Sequence, residues 1–150
     1  MAASDYERGH LKVLEVLTST VDPGKQAYQD MFKKMQTSEP KAYYTLVYVD
    51  TNTDAIVAVG SLFIENKFIR NLGAAGHIED IAVDKAAQGR GLGKKLINAL
   101  TSLSESLGAY KVILDCSSEN QGEFSTPAEH TISSFIHSRR FLREVRVSRA

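Results

Sequence analysis

The chain has little cysteine, no excess of either charge and no long apolar run, and each shortage narrows what it can be. Cys116 is the single cysteine, so no internal disulfide can form and a reducing, cytoplasmic setting is expected. The 18 Lys and Arg residues balance 18 Asp and Glu, so no overall field favours nucleic acid or an anionic membrane. Any bound anion must therefore meet a local cluster. The longest apolar runs, such as residues 55–60, fall far short of the roughly 20 needed to cross a bilayer. No charged, then apolar, then small-residue leader opens the chain, so secretion is not expected. The 4 histidines show no metal-ligand spacing, and no metal is expected.

What remains is an ordinary globular composition, 43% hydrophobic and 24% charged over 150 residues, sized for one domain. Residues 5–17 read as a first helix, with Leu11, Leu14 and Leu17 on one face and Asp5 placed to cap it. Pro23-Gly24 breaks the chain before a second helix over 25–36, where Tyr28, Met31, Phe32 and Met35 form a core-facing stripe. The β-branched and aromatic run 43–49, the turn residues 50–54 and the apolar run 55–65 predict an antiparallel hairpin. After a polar stretch, 77–83 reads as a third strand. Helix signals return over 91–107, with Leu92, Leu96, Leu100, Leu103 and Leu107 as one ridge and Gly108 as the cap. Residues 110–116 then read as a buried strand. This last strand–helix–strand unit predicts a parallel pair with a right-handed crossover. Residues 123–150 carry Ser, Thr and Pro, then Arg139, Arg140, Arg143, Arg146 and Arg149, and read as a divergent, poorly packed tail without a strand.

Between the third strand and the long helix lies Gln88-Gly89-Arg90-Gly91-Leu92-Gly93-Lys94. Glycines there let backbone amides converge on an anion, and the helix N-terminus adds its dipole. Arg90, Lys94 and Lys95 add positive charge, and a diphosphate fits. A Walker loop would need glycine at Gln88 and Ser or Thr at Lys95, and a dinucleotide fingerprint would need glycine at Lys94. On its letters alone the segment is either an anion loop or a glycine-rich turn that starts a helix.

The surrounding blocks narrow that choice. Lys67-Phe68-Ile69-Arg70, then Gly76-His77-Ile78-Glu79-Asp80-Ile81-Ala82-Val83, the glycine loop, and Tyr110-Lys111-Val112-Ile113-Leu114-Asp115-Cys116 together resemble the glucosamine-6-phosphate N-acetyltransferases of the GNAT superfamily. The resemblance covers residues 5–122 and implies an α/β GNAT-like fold, with a central mixed, mostly antiparallel sheet flanked by helices. It implies acetyl transfer from acetyl-CoA to the amine of glucosamine 6-phosphate, on the route to UDP-N-acetylglucosamine, by a homodimer. Carried onto this sequence, Gly89, Arg90, Gly91, Leu92, Gly93 and Lys94 would hold the pyrophosphate, and Ile81, Ala82 and Val83 the pantetheine and thioester. Thr18, Lys67, Phe68, Ile69, Arg70, Glu79, Asp80, Tyr110 and Lys111 would bind the sugar and its phosphate. Asp115 would lie beside the attacking amine as the catalytic carboxylate.

These assignments make chemical sense. Cations at Lys67, Arg70 and Lys111 suit a dianionic phosphate, and a carboxylate at Asp115 can orient an amine and offset the charge it acquires. His77 reads as a hydrogen-bonding strand residue, and Cys116 as a small buried one. Two departures from the family stand out. No strand is expected ahead of the first helix, so 1–122 is expected to form the domain without it. Phe124 stands where the family has the tyrosine that protonates the leaving thiolate, and the closing helix and strand are unrecognisable. The readings left open beside the sugar enzyme are a GNAT acting on another amine, such as a protein lysine, and a non-catalytic CoA-binding or heterodimerising variant.

Overall fold

The computed structural model describes residues 1–117 and 142–148, with side-chain environments through residue 114. Five strands form one sheet in the order β1-β2-β3-β4-β5: β1 (Tyr43–Val49), β2 (Ile56–Asn66), β3 (Ala74–Val83), β4 (Ala109–Ser117) and β5 (Leu142–Ser148). The pairs β1–β2 and β2–β3 are antiparallel, while β3–β4 and β4–β5 are parallel. The first four strands thus make the mixed, mostly antiparallel sheet expected, and β5 adds a second parallel pair. That strand corrects the reading of the tail. Arginines interrupt any apolar run in Leu142–Ser148, but Val145 and Val147 alternate with Arg146 and Ser148, a short period-2 pattern that an edge strand tolerates. The other expectations for 123–141, Phe124 among them, lie outside the described residues.

The hairpin turn follows from its side chains. Asp50 Oδ1 accepts from the Asn52 N–H at 2.8 Å, and the Asp54 N–H donates to Asp50 O at 2.8 Å, closing the loop as an Asx turn. Across the sheet lies helix α4 (Leu92–Ser106), which packs on β2, β3 and β4. Its Ile97 and Leu100 join Leu62, Ile78, Val112 and Leu114 in the main core. The leucine ridge is only partly the buried face. Leu96 and Leu100 are buried, whereas Leu107 lies past the helix and is 38% exposed; Ile97 and Ser104 complete the buried face instead. Ser104 in turn accounts for Gly76, where a methyl would collide with the serine Oγ. Gly108 ends the helix as expected, with φ +82° and its N–H donating to Glu105 O at 3.0 Å.

The N-terminal third departs further from expectation. Residues 5–17 do not form one helix; a 3-10 turn (Ala3–Tyr6) precedes α1 (His10–Leu14). Gly9, at φ +81°, breaks the run between them because a left-handed residue cannot continue a right-handed helix. Asp5 does not cap from outside but is buried in the turn, its Oδ2 accepting from the Ala2 N–H at 2.5 Å. Arg8 ties this region to the hairpin through Asp5 (3.4 Å) and Asp54 (3.0 Å). Val13 then packs with Ile56, Val59 and Ala82 in a second core cluster. Helix α2 (Lys25–Gln36) has the bounds expected but not the burial. Tyr28 is covered, yet Met31 is 55% exposed. The helix packs on the N-terminal turn, with Tyr6 and Tyr28 rings 5.4 Å apart, and Phe32 and Met35 are only half-buried.

Candidate functional site

The site is organised by a fault in the sheet. Opposite Gly60, strand β3 carries one residue too many: Val59 pairs with Ala82 but Ser61 with Glu79. Two residues, Asp80 and Ile81, therefore face one, which makes a β-bulge. Asp80 takes φ 55°, the left-handed region that costs a side-chain-bearing residue about 1–2 kcal/mol. Ile81 turns its side chain over Gly60, where an added Cβ would lie 2.5 Å from Ile81 Cδ1. Gly60 is thus what lets the bulge close against the core. Glu79 and Asp80 are exposed on the outer side.

The bulge coincides with a parting of strands. Pairing of β3 with β4 runs from Ala74↔Ala109 to Ile78↔Leu114 and stops, while β4 continues beside β5 to Ser117. Beyond Ile78, among the described residues, no strand pairs with this edge of β3, which includes the backbone of Ile81, Ala82 and Val83. Asp115 lies on β4 one residue past the last pair, opposite Arg146; the role expected of its side chain lies outside what the structure describes.

From Val83 the chain passes through a 3-10 turn (Lys85–Ala87), capped by Asp84 Oδ1 accepting from the Ala86 N–H at 2.9 Å, into the glycine loop. Gly89 and Gly91 have φ +75° and +71°, and a Cβ at either would meet nothing within 4 Å. The glycines are therefore required by backbone conformation, and the space in front of them is open. Gly91 is the N-cap of α4, and among the described residues no side chain caps that terminus. Its first amides remain available to an acceptor. Gln88 Nε2 donates to Val83 O at 3.2 Å and Arg90 to Ala86 O at 3.4 Å, which folds the loop back on its own turn. Leu92 and Gly93 are half-buried, and Lys94 and Lys95 are exposed beside the amides. This arrangement fits a diphosphate: amides, a dipole and cations, with no side chain in the way.

A second cluster gathers at the other end of β3. The register sets Glu65, Ala75 and Lys111 side by side across three strands. Glu65 forms an ion pair with Lys67, and Nε2 of His77 lies 2.9 Å from its other oxygen. The Lys67 ammonium first, then His77, holds the Glu65 carboxyl below the usual carboxylate range. Beyond Lys67 the chain makes the short turn α3 (Ile69–Leu72), in which Arg70, Asn71 and Leu72 all have φ near +57°. Lys67 N–H donates to Gly73 O at 2.8 Å and Gly73 N–H to Ile69 O at 3.2 Å, closing the turn. Arg70 lies over the Tyr110 ring, 5.8 Å from its centroid. Phe68, Ile69 and Leu72 are 96%, 65% and 74% exposed.

The residues expected to bind sugar are thus brought together in two groups on β3 and its flanks. Lys67, Arg70, Tyr110 and Lys111 collect at its start, and Glu79 and Asp80 at the bulge. Thr18 stands apart from both descriptions: it is exposed after α1, its N–H donating to Leu14 O at 3.4 Å. His77 is the hydrogen-bonding strand residue it was expected to be. Glu65 was missed, because its ion pair with Lys67 just past the end of β2 and its contact with His77 emerge only once the strands are paired.

Residues 12–123 match the acetyltransferase (GNAT) family model. Over 120 residues the chain is 42% identical to glucosamine 6-phosphate N-acetyltransferase of Candida albicans, spanning 79% of this chain and 78% of that protein. The enzyme of the same name from Arabidopsis thaliana is 40% identical over 118 residues, 79% of this chain and 78% of the other. The crystal structure of glucosamine-6-phosphate N-acetyltransferase from Arabidopsis thaliana superposes with a TM-score of 0.79 at 33% identity, covering 91% of this chain and 95% of that one. An acetyltransferase from Trypanosoma brucei gives 0.73, also at 33% identity, covering 91% and 96%.

Proposed function

The chain belongs to the acetyltransferase (GNAT) family, and from that premise we propose that it acetylates the amine of glucosamine 6-phosphate, giving N-acetylglucosamine 6-phosphate. The observation that carries this is the parting of β3 from β4 beyond Ile78 and Leu114. β3 runs from there toward a glycine loop that no described side chain caps, and the Lys67, Arg70 and Lys111 cluster stands at the start of β3.

Acetyl-CoA supplies the acetyl group as a thioester when bound. Gly89, Arg90, Gly91, Leu92, Gly93 and Lys94 are suited to its diphosphate, through amides at the helix N-terminus and flanking cations. The open edge at Ile81, Ala82 and Val83 offers strand-like hydrogen bonds to the amide-bearing arm. It also offers backbone N–H groups toward the carbonyl oxygen, where charge develops during attack. From Ala75 to Glu79 is about 13 Å of strand, a span that side chains reaching in from both ends can close on one hexosamine phosphate. Lys67, Arg70 and Lys111 take the phosphate, while Glu79 and Asp80 at the bulge, with Asp115, hold the amine end. The new bond joins amine nitrogen to acetyl carbon, the carbon–sulfur bond breaks, and the proton lost by the amine ends on the thiol. Holding the two reacting groups in line supplies much of the rate. The homodimer that the family resemblance implies is part of the same reading. Among the described residues no helix is long and apolar enough to cross a membrane.

The test is thiol release from acetyl-CoA with glucosamine 6-phosphate, glucosamine and a lysine peptide as acceptors. Glucosamine 6-phosphate should exceed glucosamine in kcat/KM by about tenfold or more, since one charge-assisted contact is worth about 1.5–3 kcal/mol. Equal use of the two sugars, or preference for the peptide, would remove the phosphate from the reading.

A further inference from the structure

We propose that Tyr110 is a positioning residue for the substrate phosphate: its ring clamps the Lys67–Gly73 turn and holds the Arg70 guanidinium where the phosphate is bound. The proposal rests on the sugar-phosphate reading above and concerns a residue otherwise assigned only to the sugar pocket.

Two separate contacts carry it. The first is the guanidinium of Arg70 over the ring face, 5.8 Å from the centroid, within the range of a cation–π interaction. The second is on the backbone. A Cβ added to Gly73 would lie 3.0 Å from Tyr110 Cδ1 and 3.0 Å from Arg70 O, so the ring edge lies close against the peptide that ends the turn. Gly73 has φ −72° and ψ 177°, a conformation any residue adopts. Its lack of a side chain therefore serves the close approach of Tyr110 and of the Arg70 carbonyl rather than its own dihedral angles. The ring touches the turn at its charged tip and at its closing residue.

The turn needs such a clamp. Arg70, Asn71 and Leu72 are consecutive side-chain-bearing residues in the left-handed region, where a chain resides only when its surroundings hold it. Phe68, Ile69 and Leu72 point to solvent and supply little packing. The ends are fixed by the Lys67–Gly73 hydrogen bond and the Lys67–Glu65 ion pair. In the middle of the turn, Arg70 meets the face of Tyr110. A guanidinium attracted to a ring face can still offer N–H groups to an anion, so the ring contact and phosphate binding are compatible.

Steady-state kinetics on the wild type, Tyr110→Phe, Tyr110→Leu, Arg70→Ala and the Tyr110→Leu/Arg70→Ala pair test this. Tyr110→Leu should raise the KM for glucosamine 6-phosphate roughly three- to tenfold, with a much smaller change for glucosamine, and with acetyl-CoA affinity kept. Tyr110→Phe, which retains the ring, should raise the ratio of the two KM values much less than Tyr110→Leu does. In the Arg70→Ala background Tyr110→Leu should add little further, because the two residues act as one unit. A Phe variant as impaired as the Leu variant would assign the effect to the hydroxyl and overturn the proposal. Full additivity with Arg70→Ala, or an equal rise for both sugars, would also overturn it. Should Tyr110→Leu fail to fold, Tyr110→Met substitutes for it: it fills the space without a ring face and should give the same phosphate-selective rise, and a wild-type KM would count against the clamp. If the wild type itself shows no preference for the phosphorylated sugar, the proposed function fails, which is a different outcome from failure of the clamp.

Discussion

The glycine loop and the Lys67–Gly73 turn both run left-handed, but they do so with opposite residue types. In the loop the positive φ values fall on Gly89 and Gly91, with nothing within 4 Å of where a Cβ would be. In the turn they fall on Arg70, Asn71 and Leu72, each at a conformational cost that glycine would avoid. The difference follows from what each segment must present. A diphosphate is met by backbone amides, and any side chain there would obstruct it. A sugar phosphate on the other flank is met by a guanidinium and an ammonium, so the turn must keep its side chains. One region is selected for empty space and the other retains strain in order to place charge.

The largest effect expected from breaking that contrast is at the loop. Gly91→Val puts a β-branched side chain at φ +71°, where such residues are rare, and fills the space before the first amides of α4. Acetyl-CoA affinity measured by calorimetry should fall about ten- to hundredfold, the equivalent of one lost charge-assisted hydrogen bond. Because the added atoms meet no protein atom, the fold should persist, and Gly91→Asn, which tolerates the left-handed region, should fall between the two. Unchanged affinity in a folded Gly91→Val protein would mean the loop does not hold the diphosphate.

A smaller, opposite effect is expected at the turn. Leu72 is 74% exposed, so its side chain contributes little packing while its backbone carries positive φ. Leu72→Gly should stabilise the protein by about 1 kcal/mol, a rise in Tm of about 2–4 °C. The same change should raise the KM for glucosamine 6-phosphate, since the turn would then sample conformations that misplace Arg70. A lower Tm would show that the left-handed turn is not strained.

The same contrast decides how much could be read from the sequence. The stretch from β3 through the loop to α4 and β4 was legible, because glycine, a 3.6-residue apolar period and a β-branched run are local signals. The bounds of β1, α2 and α4 were recovered almost to the residue. What was not legible depends on partners distant in sequence. The bulge at Asp80 exists only relative to Gly60 on β2, and the Glu65–Lys67–His77 cluster exists only once the hairpin register is set. Met31 reads as core because the stripe on α2 is regular, but it is 55% exposed. β5 is hidden by its arginines, since an edge strand is held by the backbone ladder to β4 more than by an apolar face. The single helix expected over 5–17 failed for a local reason that was visible, the glycine at position 9.

The smallest expected effect concerns acid, and it separates the two regions without a mutation. The turn is anchored by the Glu65 carboxylate, which Lys67 and then His77 hold below its ordinary value of 4.5. A carboxyl with a depressed folded pKa gives stabilisation that is complete above the ordinary value and is lost as pH falls through the depressed one. In the loop, by contrast, Gln88 and Arg90 donate to the carbonyls of Val83 and Ala86, and the Lys95 N–H to Gly91 O; none of these bonds requires a carboxylate. Hydrogen exchange expressed as protection factors, which removes the intrinsic pH dependence of exchange, should therefore diverge between the two on acidification. From pH 7 to about 5 both sets of amides should keep their protection, since Glu65 stays ionised throughout. Below the ordinary carboxylate value of about 4.5, protection of the Lys67 and Gly73 amides should decline while that of Lys95 holds longer. Glu65→Gln should show the low protection at Lys67 and Gly73 already at pH 7 and lose its acid dependence there. If the two regions lose protection together in the wild type, acid is acting on the whole fold, and the Glu65 anchor is not what holds the turn.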